Sequence, residues 1–233
     1  LHVLESAVGK RLEKLTEGVD ANVEAFVHAL CDDRVERLIL IDHSQGTIIT
    51  SVLLKMVEEW LTPPALKEGA GAQKPSPERH MARKLSGGLG GADQPARSRR
   101  AEAYARLHLK PRHVARLECY CFANCCTSLT PVALTGEPPR HTPWLESYGN
   151  EFDFVARLGL LAPPHGIGSA RIEGDRYRRD DAWGHLLNVH YLARLERELR
   201  ANALGLTPFP QNLLQTPRLL DYVGGKAPAA AYP

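Results

Sequence analysis

The 233-residue sequence lacks any run of about 18 apolar residues, so nothing in it reads as a membrane span, and its first residues do not have the layout of a signal peptide. A charge excess is also lacking. The 29 Lys and Arg stand against 27 Asp and Glu, a formal net charge of +2, which argues against a general nucleic-acid binder. Missing too is the cysteine pattern of a secreted disulfide framework. Cys31, Cys119, Cys121, Cys125 and Cys126 are odd in number, four of them are crowded together, and no Cys-x-x-Cys pair or cluster with metal-ligand spacing occurs. The expectation is buried thiols acting as small hydrophobes in a reducing compartment, hence a cytoplasmic location. An initiating methionine is absent as well: the chain opens at Leu1 inside a helical pattern, so it reads as a fragment or processed piece.

What is present is globular composition, 43% hydrophobic and 24% charged, enough for one good core. Leu4, Val8, Leu12, Leu15 and Val19, then Val23, Phe26, Val27 and Leu30, recur at helical spacing and predict one long or two short amphipathic helices. Leu38-Ile39-Leu40-Ile41-Asp42-His43-Ser44-Gln45-Gly46-Thr47 follows: four aliphatic residues running into His-Ser-Gln-Gly. Ile48, Val52, Leu53, Met56, Val57 and Trp60 then keep an apolar helical face. A buried parallel strand, a sharp turn and a helix are what a nucleophile elbow requires, because the turn lifts a serine hydroxyl out of the sheet edge. Ser44 is the candidate nucleophile, the backbone N–H of Gln45 a candidate oxyanion donor, and Gly46 the residue that lets the helix pass close to the strand. Asp42 stands where the first elbow glycine belongs. The bland alternative is Ser44 as an ordinary helix cap.

Two further segments supply partners. Val114 to Ala123 and Trp144 to Val155 read as strands, and Asp153 falls just past the second one, with Phe152, Phe154 and Val155 expected to pack around it. A rigid, partly buried carboxylate there suits the orientation of a histidine; Asn150 and Glu151 compete for the role, and Asp153 could instead cap a short helix. Gly184-His185 lies where a loop enters a helix that continues through the charged run Ala193 to Arg200, so His185 is the candidate base. His190 faces another direction within that helix, and His43 is expected to point away from the serine.

Between these segments, residues 62–113 are rich in Pro and Gly, and their later half is basic, including Arg79, Arg83, Lys84, Arg97, Arg99 and Arg100. They read as a disordered insertion, a solvated linker or a weak contact for anionic membrane surfaces. The organisation expected is thus a first core segment over 1–61, the insertion over 62–113, a second core segment over 114–205, and a C-terminal tail over 206–233. Pro163 to Gly168 would be a pocket wall or a connector, and the Pro/Ala-rich stretch from Gly224 to Pro233 would lie outside the fold.

Ser44, Asp153 and His185 follow the chain order serine, acid, histidine of α/β-hydrolases. His43-Ser44-Gln45-Gly46-Thr47, Tyr148-Gly149-Asn150-Glu151-Phe152-Asp153-Phe154-Val155 and Gly184-His185 resemble the signature regions of lipase-like α/β-hydrolases, in particular fungal members near the class 3 lipases. The resemblance covers about residues 20 to 60 and 114 to 200, with the elbow its most specific part, and its Asn-x-x-Asp-x-Val pattern carries the acid. It implies a partial α/β-hydrolase fold, a mostly parallel sheet flanked by helices, and a serine esterase or lipase acting on a small-molecule or lipid ester without a cofactor. It also implies a second oxyanion donor from a loop after an earlier strand, expected upstream of Leu1. A catalytically inactive scaffold of the same fold, or a membrane-surface adaptor working through the basic insertion, are the competing expectations.

Overall fold

A computed structural model describes residues 22–62, 96–130, 142–163 and 170–223, with 225, 226 and 228. Its strands are β1 (Leu38–His43), β2 (Leu117–Phe122), β3 (Ser128–Leu129), β4 (Trp144–Asn150), β5 (Arg171–Ile172), β6 (Asp175–Arg179) and β7 (Thr207–Pro208). The helices are α1 (residues 22–31), α2 (Gln45–Leu61), α3 (Ala96–His108), α4 (Pro111–Val114), α5 (Ala193–Arg200) and α6 (Leu219–Val223). The main sheet has the order β1-β2-β4-β6-β7; the first four strands are parallel and β7 is antiparallel to β6. β3 and β5 form a separate parallel pair. This is an α/β architecture, a mixed and mostly parallel sheet with helices on both faces.

The two cores follow from strand alternation. On one face Leu117, Cys119, Cys121 and Leu145 meet Val23, Val27 and Leu30 of α1 and Val52, Met56 and Val57 of α2. On the other, Tyr120, Phe122, Trp144, Tyr148 and Tyr177 meet Tyr191, Leu195 and Leu219. All five cysteines are buried, and among the described residues there is no disulfide and no cluster of metal ligands. β2 and β4 are buried along their whole length, as interior parallel strands should be. β1 departs from the buried strand expected of it. It is the first strand of the sheet, and Ile39 and Ile41 on its aromatic-core side are exposed, Ile41 at 54%.

Two segments assigned outside the core are part of the fold. Residues 96–113, assigned to the insertion, are largely helical, and Val114, read as the start of a strand, ends α4. Ser98, Ala101 and Ala105 form a buried stripe on α3, Tyr104 packs against the same core, and Arg100 pairs with Glu24 of α1 at 3.2 Å. The stripe is built of small residues, so it escapes a search for large apolar ones. Residues 63–95, 1–21 and 164–169 lie outside the described residues, and with them most of the basic insertion, the first predicted helical stretch and most of the Pro163 to Gly168 wall.

The assigned tail also docks. Two carboxylates on the aromatic-core face explain it. Glu146 accepts from Trp144 Nε1 at 2.9 Å, from the Tyr148 hydroxyl, and from the backbone N–H groups of Arg218 at 2.7 Å and Leu219 at 3.3 Å. Glu118 accepts from Arg218 at 2.8 Å, Tyr120 at 2.8 Å and Tyr222 at 2.7 Å. Without the 218–222 segment Glu118 would lose its buried ion pair with Arg218, and Glu146 its two backbone donors; breaking a buried pair costs about 3–5 kcal/mol. Further on, Pro228 is buried and its carbonyl accepts from Arg37, so that residue of the Pro/Ala-rich stretch also belongs to the fold. No helix among the described residues is long and apolar enough to cross a membrane.

Candidate active site

Because β1, β2, β4 and β6 are parallel, the loops that leave their carboxyl ends open on one edge of the sheet. Such edges are where open α/β sheets carry their sites. Ser44 leaves β1, Asp153 follows β4, and His185 follows β6.

Ser44 has φ 56° and ψ −120°, a left-handed backbone that non-glycine residues seldom adopt. Such strain costs of order 1–3 kcal/mol and persists only where neighbours over-determine it. Here the neighbours are explicit. The Ser44 N–H donates to the Phe122 carbonyl at 3.0 Å, and the Ser44 carbonyl accepts from Thr47 N at 3.1 Å, Thr47 Oγ1 at 2.7 Å and Cys125 Sγ at 3.3 Å. The residue occupies the N-cap position of α2 but its side chain makes no cap hydrogen bond, so the helix-cap alternative does not describe its hydroxyl. Gln45 heads α2, where the first N–H groups have no intrahelical acceptors.

Gly46 is less constrained than expected. A Cβ there would lie 3.6 Å from Asp42 Cβ, an ordinary contact, so a methyl group would not clash. Asp42, in the place of the first elbow glycine, turns under α2 and accepts from Thr50 Oγ1 at 2.5 Å; burial pushes its carboxyl up to about 6.

The acid and the base meet. Asp153 is 2% exposed, and His185 Nδ1 lies 3.0 Å from its Oδ2 and 3.2 Å from its Oδ1. With Nδ1–H donating to the carboxylate, Nε2 is the ring's available acceptor. Val155 N donates to Asp153 Oδ1 at 2.8 Å; the short helix Ala156–Leu158 that follows has Val155 at its N-cap and no side-chain cap hydrogen bond, so Asp153 steadies the turn ahead of that helix rather than capping it. The other two candidates do different work. Glu151 accepts from Asp181 N at 2.9 Å; Asn150 donates to the carbonyls of Gly184 at 3.0 Å and His190 at 3.4 Å, bracing the histidine loop.

Three placements add to or differ from expectation. Phe152 and Phe154 do not pack around Asp153: both point to solvent, Phe154 at 73% exposure, and Asp153 is enclosed instead by Tyr191 and the His185 loop. His43 does not bond Ser44, yet it is not remote. Its ring lies 4.5 Å from that of His185, and its Nε2 is 2.5 Å from the His185 carbonyl, so the residue before Ser44 braces the His185 loop; burial holds its pKa below the usual histidine value. Third, residues 187–192 form a π-helix rather than the start of an α-helix, and π turns recur at functional sites.

Among the described residues the Ser44 hydroxyl makes no hydrogen bond to His185; catalytic contacts of this kind are commonly long before substrate arrives. Gly184, at φ 99°, has no room for a side chain: a Cβ would lie 2.4 Å from His190 Cγ. His190 is turned away from the pair, its Nδ1 accepting from Leu186 N at 2.9 Å, as its sequence position predicts. Six large apolar side chains, Phe152, Phe154, Leu158, Trp183, Leu186 and Val189, are exposed on the two segments that carry Asp153 and His185. No protein-family profile, no curated protein and no solved structure matches this chain.

Proposed function

We propose that the chain is a serine hydrolase of the α/β-hydrolase type that cleaves carboxylic esters through an acyl-enzyme on Ser44. The observation that carries this reading is one coincidence. A serine held at φ 56° and a pair formed by buried Asp153 and half-buried His185 occupy the same sheet edge, and the His185 ring lies 4.5 Å, tilted, from that of the residue that precedes the serine.

The geometry supports the following chemistry. Ser44 Oγ attacks the ester carbonyl carbon as His185 Nε2 takes its proton, while Asp153 keeps Nδ1 protonated and stabilises the imidazolium. The Gln45 N–H faces the oxyanion of the tetrahedral intermediate. Collapse of that intermediate breaks the bond to the alkoxide, which leaves with the proton from His185. Water, activated by the same nitrogen, then adds to the acyl carbon and releases the acid and Ser44. The exposed apolar side chains around the pair favour an acyl group with a substantial apolar part. None of these steps requires a metal or an organic cofactor.

A fluorophosphonate probe tests the reading, since it needs only an activated serine. The folded wild-type chain should be labelled at Ser44, and Ser44→Ala should abolish labelling. Asp153→Ala should slow it by on the order of 10³–10⁴, the loss typical when an orienting triad carboxylate is removed. Folded protein that is never labelled would instead support an inactive scaffold of this architecture, the reading favoured by Asp42 in the elbow.

A further inference from the structure

Tyr191 is buried at 1% exposure beneath the acid, and its hydroxyl is placed between two groups. It donates to Asp153 Oδ2 at 2.8 Å and accepts from the Asn150 N–H, at the end of β4, at 3.1 Å. Its ring is held edge-on against Phe122, centroids 5.7 Å apart, and against His43 at 6.2 Å. Burial pushes its ionisation far above the usual tyrosine range, so the hydroxyl remains a donor at any working pH.

A carboxylate that holds an imidazole must itself be held, because the terminal torsion of Asp is broad and nearly two-fold. Val155 N fixes Oδ1 and the Tyr191 hydroxyl fixes Oδ2, so the carboxylate plane is pinned at both oxygens and faces His185 Nδ1. The π-helix Leu187–Leu192 makes this placement possible. Its wide turn directs Tyr191 inward under Asp153 while Leu186 and Val189 on the same segment stay exposed, and it begins two residues after His185. His185 and Tyr191 are thus carried on one short continuous segment. Asn150 joins them again from below, holding Tyr191 through its N–H and the Gly184 carbonyl through its side chain.

We infer that Tyr191 is a positioning residue of the catalytic pair, acting through Asp153 to fix the orientation and tautomer of the His185 ring. This inference rests on the hydrolase reading for its consequence in rate, but the hydrogen bond it assigns has its own readout.

Tyr191→Phe keeps the ring and its packing and removes only the hydroxyl. The rate of fluorophosphonate labelling at Ser44 should fall roughly 10- to 100-fold, the fold-change equivalent to one hydrogen bond to a charged group. In an Asp153→Ala background the same substitution should change nothing further, because a residue acting through Asp153 has no effect once Asp153 is gone. A wild-type rate in Tyr191→Phe, or a loss fully additive with Asp153→Ala, overturns the proposal. The ring ¹⁵N shifts of His185, read through its non-exchangeable ring protons, test it without activity. They should move in Tyr191→Phe towards the values of Asp153→Ala, and unchanged shifts refute the assignment. Should Tyr191→Phe fail to fold, 3-fluorotyrosine at position 191 alters the donor strength with little change of packing, and the His185 shifts must again respond. An unlabelled wild-type protein with responsive His185 shifts would sink the hydrolase reading and leave the Tyr191 assignment standing.

Discussion

At the scale of single residues, Asp42 shows how a side chain can disturb the position it occupies. Its folded pKa, pushed up to about 6 by burial, lies above the ordinary 3.8, so the fold favours the protonated form. The sign follows directly. The stability associated with Asp42 is fully present below about pH 4 and is lost as pH rises through 6, by on the order of 2–3 kcal/mol. Asp42→Asn keeps an acceptor for Thr50 without the charge, so its urea-unfolding midpoint should fall less between pH 5 and pH 8 than that of the wild type. An equal fall in both would show that Asp42 is solvated at neutral pH. His43 is a second such case, a histidine whose pKa burial lowers while its ring nitrogen contacts the His185 carbonyl.

At the scale of elements, the loop from Gly184 through the π-helix is the least tolerant part of the site. Gly184→Ala would put a Cβ 2.4 Å from the His190 ring, at a φ of 99° that an alanine resists. The substitution should cost about 1–3 kcal/mol of stability and, by displacing His185, slow Ser44 labelling at least tenfold; thermal unfolding and labelling rates measure the two effects separately. The same element shows what could and could not be read from the chain. The turn at Ser44, the strand before Asp153 and the loop at His185 were legible because each carries a local signature: an aliphatic run, a strand end and a Gly-His pair. Tyr191 and Asn150 were not legible in their present roles, since their function depends on a π turn and on contacts across 34 to 41 sequence positions. The docking of residues 218–222 was equally hidden, although Glu118 and Glu146, acids within otherwise apolar strands, were a signal that something must reach them. α3 was hidden for the opposite reason: its buried stripe is Ser and Ala, which resembles linker composition.

At the scale of the whole molecule, β1 is both the strand that ends at Ser44 and the first strand of the sheet. Ile39 and Ile41 lie on its exposed side, and among the described residues no strand pairs with β1 other than β2. An exposed apolar edge strand is a template for another strand. Concentrated samples should therefore self-associate, and Ile41→Lys should hold the chain monomeric in light scattering; association that is indifferent to that charge would place the contact elsewhere. The sheet order has another consequence. Ser44, Asp153 and His185 hang from three strands, with β2 between the first two, and each pairing in that row must be in register before the three groups share an edge. No shorter piece of the sheet contains the three residues, so labelling of Ser44 on the proposed mechanism should require that whole row, and a refolding time course followed by labelling should lag behind one followed by helix content.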